Sequence, residues 1–441
     1  MALGGGTFKN MDKPLPGAYV NNVSAAKNLD LTGLHGVVAI ALEWDYGNKG
    51  DLIKLKSGHF SILCKQALGY DLWDEKLKGI RELVENTTEV YFYILNDNKK
   101  ASNTHAEAKK GGTRGNALAI RIQTNVDDPS KKDVITLLDN EIVDKQIVSQ
   151  KTELVDNEFV KFKKTVELED VVKSELSGGT NGDVVVKDHQ TFLARMETVS
   201  FNTLACLSLD KEIQKLYVAY TKRMREDVGL KFATILKLID APGEELYNHE
   251  SIVAIENKVL DKGAKGNELV YFTAAIYAST PFGKSNLNKK YTGEFKVNTE
   301  YTQGQLTQLA KEGKFVYHQV GDEVRVLEDI NSLTTFTEEK GEEFKENQVV
   351  RIVDALAIED AIVFNTMYLG KVNINKSALE SYENKVRDIR EHFVDEGALV
   401  DYDKDIKVEK VEGVRGAVKV TSGVRPAECF RQLYATNLVR G

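Results

Sequence analysis

Thr203-Leu-Ala-Cys-Leu207 is followed by Asp210, which opens a run with apolar residues at Ile213, Leu216, Tyr217, Tyr220, Met224 and Val228, and then by Lys231-Phe-Ala-Thr-Ile-Leu-Lys-Leu-Ile239. The middle run repeats at three and four, which places its apolar residues on one face of a helix. The flanking runs are short, apolar and branched, as strands are. Strand, helix and strand at this spacing predict an α/β layer.

The same texture stands nearer the amino end. Gly36-Val-Val-Ala-Ile-Ala-Leu42 reads as a buried strand whose small residues allow close packing, and Trp44 after it needs cover. Ser61-Ile-Leu-Cys-Lys-Gln-Ala-Leu68 reads as a short helix with Ser61 near its cap. Leu77, Ile80, Leu83 and Val84 fit one helix face, and Glu89-Val-Tyr-Phe-Tyr-Ile-Leu95 reads as a strand. Residues 33–110 are therefore expected as a small α/β domain and residues 189–346 as the main one. Within the latter, Glu268 to Ser279 is open between strand and helix, and Ala274, Ala275 and Ala278 favour a buried helix. Gly321-Asp322 sits between two short strands as a hairpin turn.

Residues 111–188 differ. Leu118-Ala-Ile-Arg-Ile122, Asp133-Val-Ile-Thr-Leu-Leu138, Ile142-Val143 and Phe159-Val-Lys-Phe162 are short runs separated by polar turns. That rhythm predicts an inserted β-sandwich or barrel, burying Leu118, Ile120, Ile122, Ile135 and Leu137. In residues 347–426, Val349, Ile352, Val353, Leu356, Ile362 and Val363 mark a long helix. Leu379, Tyr382, Val386, Ile389 and Phe393 mark a second helix, from Ser377 to about Glu396, followed by short β-like stretches around Gly413, Gly416 and Gly423. No repeat period is present, so a solenoid is not expected.

The two ends look built to leave the body. Residues 1–32 are glycine-rich and broken by Pro14 and Pro16, with Tyr19 and Val20 as strand-like anchors. Residues 427–441 read as an extended strand offering Phe430, Leu433, Tyr434 and Leu438. Such arms can add to a neighbour's sheet edge, and repeated heterologous contacts build a ring or helix. The plainer alternative is that the ends are loose or docked on their own domain.

Composition narrows the class. The 441 residues, 42% apolar and 29% charged, are ordinary for a soluble multidomain protein. A net charge of -8 argues against nucleic-acid wrapping. Cys64, Cys206 and Cys429 are far apart and fit no metal spacing, as expected of a reducing compartment. No signal peptide is read, because Gly4 to Gly6 interrupt the apolar region, and the run Leu34 to Leu42 is too short to span a bilayer. Chemistry does not converge either. Pro281-Phe-Gly-Lys-Ser285 lacks the opening glycine of a phosphate loop, since position 278 is Ala278, and reads as a turn after a helix. Asp188-His189 has no serine elbow to serve, and the acid pairs Glu338-Glu339 and Glu342-Glu343 lie in a lysine-mixed polar stretch. No catalytic, metal or cofactor-binding residue is assigned, and no cofactor is expected.

Four stretches resemble one family. They are Met1-Ala-Leu-Gly-Gly-Gly-Thr-Phe8 with Leu15-Pro-Gly-Ala-Tyr19, Ser279-Thr-Pro-Phe-Gly-Lys-Ser285, Val324-Arg-Val-Leu-Glu-Asp-Ile-Asn331 with Ser332-Leu-Thr-Thr-Phe336, and Asp354 onward through Phe364 and Gly370 to Lys371-Val-Asn373. In order and span they resemble the sheath proteins of contractile tails, those of Gram-positive phages and phage-tail-like bacteriocins. The resemblance implies a multidomain α/β fold with a subtilisin-like but non-catalytic core, an inserted outer β domain and extended terminal arms. It implies a structural subunit, not an enzyme, that stacks as hexameric rings around an inner tail tube, contracts, and meets baseplate and tail terminator proteins. It implies no direct contact with nucleic acid or membrane. Assembly would occur in the bacterial cytoplasm, and the product would be a virion or phage-tail-like particle. The arms would link subunits through Tyr19, Val20, Phe430, Leu433, Tyr434 and Leu438. The C-terminal domain would face the tube, with Arg387 and Arg390 as candidate contacts. The rival reading is a soluble cytoplasmic α/β enzyme, which requires a convergent polar pocket.

Overall fold

Every residue from Val37 to Leu42 is buried, because this strand lies inside a sheet covered on both faces. The computed structural model describes residues 35–239 and 247–439. In chain order the elements begin with β1 (Val37–Leu42), β2 (Leu52–Lys56), α1 (Ser57–Leu68), α2 (Lys78–Glu85) and β3 (Glu89–Ile94). Next come β4 (Ala106–Ala108), β5 (Leu118–Thr124), β6 (Lys132–Leu138), β7 (Glu141–Val148), β8 (Val160–Phe162) and β9 (Val171–Glu175). They are followed by α3 (Val186–Met196), β10 (Thr203–Cys206), α4 (Lys211–Arg223), β11 (Ala233–Lys237), β12 (Ile252–Ile255), α5 (Leu269–Ser279) and α6 (Gln303–Lys311). Then come β13 (Lys314–Phe315), β14 (Tyr317–Val320) and β15 (Glu323–Val326). The last are α7 (Asn347–Val363), α8 (Lys376–Asp395), β16 (Leu399–Tyr402), β17 (Lys407–Lys410), β18 (Val418–Thr421) and β19 (Val424–Pro426).

The central sheet has seven strands in the order β13-β12-β11-β10-β1-β3-β2, parallel except for β2 at one edge. Parallel strands need helices on both faces. Val38, Ile40 and Leu42 meet α1, α2 and α5, while Val37, Ala39 and Ala41 meet α3 and α4. The sheet joins two segments expected as separate domains. Val38, Ala39 and Ile40 of β1 pair with Thr203, Leu204 and Ala205 of β10, so residues 33–110 do not form a layer of their own. The ambiguous stretch at 268–279 is the helix α5, apolar almost all round and enclosed. Ser61 is not a cap. The helix α1 starts directly after β2 at Ser57, and Ser61 lies exposed in its second turn. Gly321 takes φ +59 in the turn between β14 and β15, as the hairpin requires.

The inserted segment forms an antiparallel sheet in the order β7-β6-β5-β9, with β4 and β8 paired beside it. Leu118, Ile120, Ile122 and Val134 share a core with Ala101, Ala106, Ala108, Phe159 and Phe162. Ile135 and Leu137 do not join it. They pair across from Arg121 and Ala119 and so point to the other face, where they cluster with Ala119. The segment's core also starts earlier than position 111, at Ala101, and Lys99 pairs with Thr180 where the chain leaves and returns. The insertion is bonded to the central layer. Lys110 Nζ donates to the carbonyls of Gln66 and Ala67, and Arg114 Nε donates to that of Gly69, at the end of α1. Gly112, at φ +114, lies against Asp45 so closely that a Cβ would come within 2.0 Å of its carbonyl oxygen.

In the C-terminal unit Ile352, Leu356, Val363, Tyr382, Val386, Ile389 and Phe393 are buried together, as the periodicity predicts, and Phe282 stacks on Phe393 at 4.7 Å. Val353, Ile362 and Leu379 are only half-buried.

Replacing residues 100–179 by a short glycine linker tests the insertion's independence. The trimmed protein should keep its mixed α/β circular dichroism and unfold cooperatively. Its midpoint should fall, because bonds to the end of α1 worth about 1 kcal/mol each net are lost. Absence of any cooperative transition would show that the insertion and the central layer share one core.

Candidate assembly interface

The helix α7 is the hinge-pin of the C-terminal half. Arg351 and Asp354 are three residues apart and face the central layer. Arg351 Nη2 donates to Asp329 Oδ2 at 2.7 Å and to the Lys284 carbonyl at 2.8 Å. Asp354 accepts from both terminal nitrogens of Arg225, at 2.7 and 2.8 Å. Asp360 lies nine residues beyond Arg351, about two and a half turns, and so faces the opposite way. There it accepts from both terminal nitrogens of Arg390 on α8, at 2.6 and 2.7 Å. Burial would raise the Asp329 carboxyl. The Arg351 charge, the Asn286 N–H and the Asn347 amide hold it below the usual range.

These pairs correct one sequence expectation. Arg390 is buried, with a side chain only 7% exposed, and its charge is already taken by Asp360. It is not a free cation on a polar face. Arg387 is partly exposed, bonded to Glu383 and to the Lys404 carbonyl. Tyr19 and Val20 lie outside the described residues. Phe430, Leu433, Tyr434 and Leu438 all project into solvent, with exposures between 84% and 103%. Residues 427–439 form no strand, and no ladder joins them to any of the described residues. The segment is held at its root. Ala427 N–H bonds the Ala398 carbonyl, and Arg431 reaches Glu328 and Glu346. It leaves directly from β19, which among the described residues pairs only with β16. Strands β17 and β18 likewise form a sheet of two. Two-stranded sheets leave unpaired N–H and C=O groups along both edges.

Periodicity missed Arg225, Asp329, Arg351 and Asp354. The available signal was a cation and an acid at i and i+3 inside an otherwise apolar helix face. Glu82 is pushed up to about 7 by burial, although Oε1 accepts from the Tyr291 hydroxyl and the N–H groups of Glu294 and Phe295. His189, beside Tyr217, and His249 are both pulled down by burial to about 4. Asp188 is paired with Lys49. The Pro281 to Ser285 stretch is a turn after α5, with Lys284 N–H on the Pro281 carbonyl. Among the described residues no cluster of His, Cys, Asp or Glu could hold a metal ion, and no helix is long and apolar enough to cross a membrane.

An α/β layer with an inserted antiparallel β unit and a helical C-terminal unit trailing an exposed arm defines a multidomain sheath-like fold, and the comparisons agree. Residues 85–181 match the phage tail sheath protein beta-sandwich domain, 182–332 the phage tail sheath protein central domain, and 339–440 the phage tail sheath C-terminal domain. The chain is 27% identical to the phage-like element PBSX protein XkdK of Bacillus subtilis, over 98% of this chain and 99% of that one. The sheath tail protein of Desulfitobacterium hafniense superposes with a TM-score of 0.78 at 26% identity, covering 93% of this chain and all of that one. The helical sheath of the anti-feeding prophage in its contracted state shares the fold, with a TM-score of 0.55 at 12% identity over 97% of this chain and 99% of that one. The chain belongs to the phage tail sheath protein family. It is a structural sheath subunit of a contractile injection system.

Two measurements check this geometry. Arg390→Glu removes a buried partner and should cost at least about 3 kcal/mol in denaturant unfolding. Arg387→Glu, losing a partly exposed pair, should cost less than about 1 kcal/mol. Equal costs would refute the assigned burial. For Glu82, the folded pKa lies above the unfolded 4.5, so the carboxylate penalises folding as pH rises from 4.5 towards 7. Glu82→Gln should therefore gain stability relative to wild type across that window, on the order of 3 kcal/mol in total. A pH-independent difference would contradict it.

Proposed function

We propose that the chain polymerises as stacked hexameric rings around an inner tail tube and contracts to drive that tube through a target cell envelope. The observation that carries this reading is the pairing of an exposed aromatic arm with open two-stranded sheets on the same unit. The arm cannot satisfy its own apolar side chains or backbone, and a neighbour's sheet edge can satisfy both. Linkage in one direction only, copy to copy, builds rings and helices. Residues 1–32 and 427–441 are read as the two linking arms, through Tyr19, Val20, Phe430, Leu433, Tyr434 and Leu438. The C-terminal unit is read as facing the tube, the β insertion as lying outside, and the central layer as a non-catalytic counterpart of a subtilisin-like core. Baseplate and tail terminator proteins would close the two ends of the stack. The likeness to XkdK supports a lineage among Gram-positive phages and phage-tail-like particles assembled in the cytoplasm. Contraction needs no cofactor in this reading, because its energy is a difference in subunit packing.

Truncation tests it. Deleting residues 1–20, or residues 432–441 beyond Arg431, should leave a folded subunit with unchanged thermal unfolding. Sedimentation and negative-stain microscopy should then show monomers or short stubs in place of long cylinders. Full-length ordered cylinders from both truncated forms would remove the arms from the assembly.

A further inference from the structure

A cleft of about 600 Å³ lies between α7 and the starts of three parallel strands. His35, Phe201 and Phe232 form one wall, each just ahead of β1, β10 or β11. Arg351, Asp354, Ala355 and Ile358 form the other, at i, i+3, i+4 and i+7 on one face of α7. Folded interiors leave few voids larger than a water molecule, and this volume is that of a site which takes a guest. The Asp354 carboxylate is already taken by Arg225, but Arg351 is only partly satisfied. Its side chain is 8% exposed and its Nη2 is bonded, while Nε and Nη1 are buried with no partner among the described residues. Lys231 also lines the cleft, so the fitting guest is apolar and carries an acid.

The chain itself supplies such a guest. Residues 28–34 read Asn-Leu-Asp-Leu-Thr-Gly-Leu and stand directly ahead of His35 in the cleft wall. That join is fixed. Gly36, at φ +76, donates its N–H to the Ala278 carbonyl at 2.9 Å, and the His35 carbonyl accepts from the Thr88 hydroxyl at 2.6 Å. The acids ahead of His35 are Asp12 and Asp30, and Asp30 lies within roughly 17 Å of His35 along even a fully extended chain. Leu29 and Leu31 flank it, so in extended backbone the two leucines turn to one side and the carboxylate to the other. The cleft offers aromatic rings on one wall and Arg351 on the other.

We propose that residues 29–34 seat in this cleft of their own subunit, with Leu29 and Leu31 against Phe201 and Phe232 and Asp30 on the Arg351 guanidinium. The amino-terminal arm is then clamped at its root between the central sheet and α7, and the residues before it, Tyr19 and Val20 among them, stay available for linkage. The proposal does not rest on the assembly reading. Hydrogen exchange of the full-length chain, diluted until sedimentation shows monomer, tests it. Amides of residues 29–34 should exchange at least ~tenfold more slowly than in an unstructured chain. Asp30→Lys, which meets Arg351 with a like charge, should abolish that protection. Ile358→Asp, at a 38% exposed position on the α7 wall, should do the same while β1 and β11 stay protected. Wild-type exchange at the unstructured rate overturns the proposal. So does protection that survives both substitutions, because the segment is then held elsewhere. Protection that arises only on concentrating the protein overturns it too, since the segment of a second copy would then fill the cleft.

Discussion

Asp329 and Arg351 are the pair on which the placement of everything downstream depends. Both side chains are almost fully buried, and taking two charges out of water costs several kcal/mol each. The surrounding hydrogen bonds offset part of that cost. Asp329 also receives the Asn286 N–H and the Asn347 amide, and Arg351 also reaches the Lys284 carbonyl. Separating them would leave an uncompensated charge indoors. Such a pair adds little net stability over apolar packing, yet it admits one orientation of α7. The Arg225–Asp354 pair fixes the same helix a turn further on, and Arg390–Asp360 passes the constraint to α8.

In the proposed assembly this matters mechanically. An arm that pulls on a neighbour transmits force only if its root is stiff. The arm here leaves from β19, which packs on α7 and pairs with β16, and α7 is locked to the central layer through Arg351–Asp329 and Asp354–Arg225. The free, solvated aromatic side chains of the arm then become a contact element held on that body.

Much of this was legible in the sequence. The helix from Asp210, the alanine-rich α5, the hairpin at Gly321 and the inward faces of α7 and α8 follow from local periodicity and turn chemistry, which is what a single stretch of chain encodes. Long-range partnership was not. Nothing near Val38 announces that it pairs with Thr203. The alanines at 101, 106 and 108 are too small to signal a core, so the insertion seemed to begin later than it does. Arg390 looked like a surface cation because helix periodicity sorts charge from apolar residues. Only the fold reveals that Asp360 waits opposite it. The exposed arm was anticipated as a strand, and in the proposed assembly it becomes one beside a second chain.

That last point is the central claim, and a reconstruction of the assembled polymer at side-chain resolution tests it most directly. The account predicts that residues 428–438 form an added strand against a two-stranded sheet of a neighbouring copy, with Phe430, Leu433, Tyr434 and Leu438 covered at that contact. A polymer in which those residues stay solvated, or fold back onto their own subunit, would contradict it.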